Sequence, residues 1–234
     1  MENKGITVKT IGERVELTAP HGKGELNFLV PHACWATSGK TFVEAKNFIK
    51  KEGLIFPTLA EVASVVYAAW QNPNEEYSKR VINLLEHESL WTNNGILYVP
   101  NKGMYIQDSP NVVWGKHFNE SELIKRFEAG DKNVRFTPFE EEYFGLNAKD
   151  LVKSKLLIAL AGEEGAEKLS YVATKYGVKG HSLPYSGAKY EKNERKIDSR
   201  VIHLCSRTNF MISGSDVNFF PDRCYSLAIQ GDKK

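Results

Sequence analysis

The chain opens on alternation. "GITVKTI" and "RVELT" exchange apolar and polar side chains at every second residue, with a break at Gly12-Glu13, and "ELNFLV" follows the turn "PHGKG". A half-buried strand requires this period of two, so the first thirty residues predict a hairpin and a third strand. From Thr41 the period lengthens to that of helices. "FVEAKNFIKKEG" ends at Gly53, where a C-terminal cap belongs. "TLAEVASVVYAAW" carries Leu59, Val62, Val65, Val66 and Ala69 on one wide stripe and no charge after Glu61, which predicts a buried helix. "NEEYSKRVINLLEHESLW" keeps Tyr77, Val81, Leu84 and Leu85 inward with charges outside.

Strand pattern returns at "GILYVP" and "GMYIQD", which flank Asn101-Lys102-Gly103 and predict a hairpin, with "NVVW" as a further strand. Trp91, Tyr98, Tyr105 and Trp114 gather around it. Tyr98 and Tyr105 sit on its two strands, and on one face they would form a stabilising cross-strand aromatic pair. Helical pattern resumes at "ESELIKRFEAG", at "PFEEEYFG", and in the pair "KDLVKSKLLIALAG" and "EEGAEKLSYVATKYG". Residues 177–198 have no apolar periodicity and read as a long loop. "RVIHLCS", "NFMIS" and "YSLAIQ" are strand-like and finish the chain. Together these predict an α+β fold, a mainly antiparallel sheet built from N-terminal, central-hairpin and C-terminal strands and packed with several amphipathic helices. Residues 1–234 read as a single main domain, with room for a helical subdomain within 41–90 or 119–176.

Composition narrows the class. With 234 residues, 41% hydrophobic and 26% charged, the chain is ordinary globular protein, long enough to bury roughly 70–75% of its unfolded surface without staples. Net charge is +2, yet residues 1–176 hold 21 basic and 23 acidic side chains while 177–234 hold 10 and 6, so the last quarter is basic. Three cysteines (Cys34, Cys205, Cys224) cannot all pair within one chain and show no C-x-x-C spacing, which predicts a reducing compartment. The first residues lack the apolar run of a signal peptide, and no stretch approaches 18 consecutive apolar residues. The expectation is a soluble cytoplasmic protein with no membrane association.

Gly39-Lys40-Thr41 ends like a phosphate-binding loop, but G-x-x-x-x-G-K-S/T requires glycine at position 34, which is Cys34, and a tight turn where Trp35 stands. Thr41-x-x-Glu44 is instead a capping box, a device repeated at Thr58-x-x-Glu61, Asn119-x-x-Glu122 and Thr137-Pro138-x-Glu140. "EKLSYVATKYGVKGHSL" resembles the opening of a helix-turn-helix, with Ala173 and Gly177 at its turn. Pro184 and Gly187 fall where a recognition helix should be continuous, so Gly177 reads as the end of a helix.

The 179–200 loop combines cations with planar side chains: Lys179, His181, Tyr185, Lys189, Tyr190, Lys192, Arg195 and Lys196 form the predicted anion-binding set, with Arg200 close behind. Such a mixture suits phosphate contact and base stacking. Glu191, Glu194 and Asp198 dilute the charge to six basic against three acidic residues. His203 and Cys205 alternate on one strand face and read as core. His21 and His32 suggest no third metal ligand, and no metal site is predicted. The runs Glu140–Glu142 and Glu163-Glu164 read as solvated helix positions. No catalytic constellation or cofactor is legible. The sequence therefore predicts a binding or interaction protein that contacts an anionic partner such as nucleic acid through 179–200. The alternative is a hydrolase-type or metal-dependent enzyme in which the fold brings together His21, His32, His181, His203 and Cys205.

Overall fold

The computed structural model describes residues 7–11, 14–31, 40–113, 116–138, 144–176, 181–182, 198–205, 210–216 and 224–230. Strands β1 (Thr7–Ile11), β2 (Arg14–His21) and β3 (Gly24–Pro31) lead into α1 (Phe42–Lys51), the short β4 (Leu54–Ile55), α2 (Leu59–Gln71) and α3 (Glu76–His87). The central hairpin is β5 (Ser89–Val99) and β6 (Gly103–Asp108). It is followed by α4 (Glu120–Glu128), β7 (Val134–Pro138), β8 (Phe144–Leu146), a 3-10 helix (Ala148–Lys153) and α5 (Lys155–Lys175). The chain closes with β9 (His181–Ser182), β10 (Asp198–Cys205), β11 (Met211–Asp216), β12 (Cys224–Tyr225) and β13 (Ile229–Gln230).

The α+β class is as predicted, but the strands form two main sheets. One has the order β1-β2-β3-β13-β4, so a strand from the end of the chain sits between two from its beginning. The other runs β11-β10-β5-β6-β7, with β12 pairing β5; β8 and β9 form a small separate pair. Every pairing is antiparallel except β12 with β5. Opposite β10, four residues of β5 span two: Val201 pairs Gly95 and His203 pairs Trp91. The bulge turns the Asn93 and Asn94 amides toward neighbouring backbone. Asn93 Nδ2 donates to the Phe56 carbonyl at 3.1 Å, and Asn94 Oδ1 accepts from the Leu59 N–H at 2.6 Å.

Period-2 alternation in β5 separates two cores. Leu90, Ile96 and Tyr98 join Met104, Ile106, Ile202 and Leu204 against α2, α3 and α5, and the same cluster takes in Leu17, Ala19 and Phe28 of the first sheet. Trp91, Leu97 and Val99 join Tyr105 and Val201 on the opposite face, beneath Phe42, Ala45 and Ile49 of α1 and Leu123 of α4. Burial on both faces explains why β5 is buried along its whole length.

Several expectations change here. The helix expected over 74–91 runs from Glu76 and stops at His87, because Glu88 is already extended and Ser89 to Trp91 pair with β10. "NVVW" forms no strand among its described residues, and the partner of β6 is instead β7. Pro138 ends that strand and Phe144–Leu146 is β8, so the helix expected at "PFEEEYFG" is not formed at its ends; 139–143 lie outside the described residues. Tyr98 pairs Met104 while Leu97 pairs Tyr105, which puts the two tyrosines on opposite faces rather than in one pair. The predicted helix pair is found, as the two halves of α5 that meet at Gly162 (φ 72, ψ 170, a conformation open essentially only to glycine), but its first member begins at Lys155 after a 3-10 turn over Ala148–Lys153.

Candidate functional site

Helices α2 and α5 pack along one seam, and their facing residues advance in step. Ala60 lies against Gly165. One turn on, Lys168 Nζ is 2.9 Å from Ser64 Oγ. Then Tyr67 meets Tyr171 edge to face, centroids 5.0 Å apart, and Trp70 meets Tyr176 in the same manner at 5.3 Å. Steps of three to five residues in the same direction on both helices mean that α2 and α5 run alongside each other in the same sense here, each rung about one 5.4 Å turn beyond the last. The seam begins apolar, becomes polar, and ends aromatic.

The polar rung is a closed network. Lys168 is 6% exposed and Ser64 1%. The ammonium has three N–H donors and three acceptors: Glu164 Oε1 at 2.6 Å, Ser64 Oγ at 2.9 Å and the Pro20 carbonyl at 3.1 Å. Ser64 donates its hydroxyl proton to the Ala60 carbonyl at 3.1 Å, the turn-back bond of a helical serine. His21 Nδ1 lies 2.8 Å from the same hydroxyl oxygen. Glu164 Oε1 also accepts from the Gly22 N–H at 3.0 Å. The hydrogen bond from Lys168, helped by that from Gly22, holds the Glu164 carboxyl below the usual carboxylate range against the opposing effect of burial. The rung fastens the β2–β3 turn to both helices.

The aromatic rungs are more open. Tyr67, Trp70, Tyr171 and Tyr176 are all half-buried. Lys175, exposed on the last turn of α5, places Nζ 4.6 Å above the Tyr171 ring, a cation–π contact. Tyr176 stacks on the buried Phe210 with centroids 5.8 Å apart and planes 17° from parallel. The Trp70 Nε1–H is buried with no acceptor among the described residues. Burial pushes the Tyr67 hydroxyl up, reinforced by Tyr171. On α3, Arg80 lies over Tyr77 at 4.8 Å while it pairs with Glu76.

This aromatic end is where the predicted anion-binding segment leaves α5. Of that set, the structure places only the His181 backbone: His181–Ser182 is β9, antiparallel to β8, where a loop was expected. Lys179, Tyr185, Lys189, Tyr190, Lys192, Arg195 and Lys196 lie outside the described residues, as do His32, Cys34 and Trp114. The segment ends earlier than expected, since Asp198 and Arg200 belong to β10 and pair with each other at 2.7 Å. Five basic and two acidic residues remain between 179 and 197.

Of the other candidates, His21, His203 and Cys205 are described, and His21 lies in a different sheet from the other two. His203 lies in the second sheet, its ring 5.4 Å from that of Trp91 and its Nδ1 3.2 Å from Ser215 Oγ, far in the topology from His21. Cys205 is buried on the same strand, as predicted for core. Among the described residues no group of three or more His, Cys, Asp or Glu could hold a metal ion, and no helix is long and apolar enough to cross a membrane. Thr41 is occupied as a cap: its Oγ1 accepts from Glu44 N at 3.2 Å and Glu44 reaches back to Thr41 N at 2.8 Å. The preceding β3 pairs antiparallel on both sides, unlike the parallel strand a phosphate-binding loop follows. No family model, curated protein or solved structure matches the chain.

Sequence reasoning missed Ser64, Lys168 and Glu164 as a unit. The available signal was Ser64 itself, a polar residue in the part of a buried helix that carries no charge after Glu61. Its partner is 104 residues away, beyond the reach of any local pattern.

Proposed function

We propose that the chain is a binding protein for a polyanion, nucleic acid foremost, held by the basic residues of 179–196 and acting in the cytoplasm. The observation that supports this most directly is positional. A basic, tyrosine-bearing stretch follows Tyr176 in the sequence, and Tyr176 ends a seam lined by half-buried rings and by Lys175. Cations supply attraction to phosphate, and flat rings supply contact with bases or sugars. Asp198 and Arg200 neutralise each other in β10 and leave the excess charge on the residues between.

A hydrolase reading other than the histidine and cysteine set of the sequence would draw on Ser64, Lys168 and His21, a set with the elements of a nucleophile and its activators. Their hydrogen bonding speaks for fastening instead. Lys168 has all three of its protons engaged and offers no lone pair to take the serine proton, and the Ser64 hydroxyl bonds back to the Ala60 carbonyl at 3.1 Å.

The test is retention of the full chain on heparin and on immobilised nucleic acid at low salt. Wild type should be retained, and the triple variant Lys189→Ala, Lys192→Ala, Lys196→Ala should elute early with an unchanged melting temperature. Absence of wild-type retention on both would remove the polyanion reading.

A further inference from the structure

Arg126, Arg135, Lys168 and Arg200 are recessed cations, and each is met by a carboxylate: Asp131, Asp108, Glu164 and Asp198 in turn. Lys46 of α1 departs from that pattern. Its side chain is half-buried and its Nζ donates to the Pro110 carbonyl at 2.7 Å. No carboxylate lies within ion-pair reach of it among the described residues. Lys50 follows one turn on, on the same side of the helix, exposed and equally without a carboxylate. Burial disfavours the Lys46 ammonium and the charge of Lys50 adds to that, so the Lys46 amine is held below the ordinary lysine range. The bond to Pro110 fastens the loop after β6 to α1, but it engages only one of the six N–H donors that the two ammonium groups carry.

The carboxylates closest in sequence are engaged elsewhere. Glu44 folds back onto Thr41 as the cap of α1, and Asp108 has both oxygens on Arg135 and one also on Asn94. Two neighbouring cations without a counter-charge, one of them fixed by a carbonyl, suit an anion whose oxygens accept from both at once. We infer that Lys46 and Lys50 form a phosphate site on α1. Lys46, positioned by Pro110, supplies the fixed donors, and Lys50 closes on the anion from the next turn. A bound phosphate removes both the repulsion between the lysines and the cost of recessing Lys46. The assignment does not rest on the polyanion reading, since the phosphate group can be free or can belong to a nucleic-acid strand.

Acetylation of the full chain by limiting acetic anhydride, read lysine by lysine in the mass spectrometer, tests this directly. Only the neutral amine reacts, so a bound phosphate both covers Lys46 and Lys50 and keeps them charged. At constant ionic strength, replacing chloride by inorganic phosphate should slow both saturably, while the exposed Lys149 is unaffected. In Lys50→Ala, an exposed position whose loss leaves the Pro110 bond intact, protecting Lys46 should take at least about tenfold more phosphate, the loss expected for one charge-assisted hydrogen bond. Oligo-dT in place of inorganic phosphate distinguishes the sources: protection by the oligonucleotide alone assigns a phosphodiester, and protection by the free ion assigns a small phosphate ligand. Failure of both to protect, or equal slowing at Lys149, would overturn the site. Oligo-dT bound by the full chain with Lys46 and Lys50 unprotected would overturn it while leaving the polyanion reading in place. Protection by inorganic phosphate in a chain that binds no oligonucleotide or heparin would support the site and remove that reading.

Discussion

Replacing Ser64 by Ala would strand the third N–H of Lys168, a residue 6% exposed, and remove the His21 contact. An unmet buried donor costs about 1–3 kcal/mol, so urea unfolding of Ser64→Ala should show a loss of that order with an unchanged slope. Glu164 gives the same rung a dependence on acid. Its folded-state pKa lies below the unfolded value, so the unfolded chain binds more protons in the window between them. Its contribution is complete above the ordinary carboxylate range and is lost as pH falls through the lowered folded value. The side chain is 47% exposed, which keeps the effect below about 1 kcal/mol. Stability measured from pH 7 down to pH 3 should therefore fall less steeply in Glu164→Gln than in wild type; identical acid limbs would disprove the role. None of this was legible in sequence, where Glu164 looks like an ordinary residue of a first helical turn. Its partners, Lys168 one turn ahead and the Gly22 N–H of a distant turn, are chosen by packing.

Among the elements, the central hairpin was the clearest in the sequence, and its turn is the most constrained. Gly103 has φ 151, and a Cβ there would stand 2.3 Å from the Thr137 carbonyl oxygen of β7. Gly103→Ala must displace β7 or open the turn, so it should destabilise by about 1–3 kcal/mol in thermal or urea unfolding, near the upper end because the obstacle is backbone. A neutral effect would mean that β7 does not pair as described. The sequence missed β7 because five residues ending in Pro138 resemble the approach to a helix start, and an edge strand needs no alternation strong enough to reveal it. The overrun of α3 into β5 has a related cause: Leu84, Leu85, Leu90 and Trp91 are all buried, and an unbroken apolar count does not reveal where the backbone changes from coiled to extended. The capped helix starts were read correctly at Thr41 and Asn119, because a cap is a local event with local partners.

For the molecule as a whole, the number of sheets could not be read from the strands. That β13 returns to sit between β3 and β4 is a long-range fact, as is the meeting of β10 with β5. The uneven charge along the chain was visible at once, and it carries the functional claim. If binding rests on phosphate contacts from 179–196, the affinity for a single strand must fall with salt in proportion to the number of contacts. The decisive measurement is the dissociation constant for oligo-dT from about 50 to 300 mM salt, for wild type and for the Lys189, Lys192 and Lys196 triple Ala variant. The account predicts a linear log–log rise of that constant with salt, of roughly 0.7 per contact, shallower by about 2 in the variant. A slope that the three substitutions leave unchanged, or no binding at the lowest salt, would contradict it.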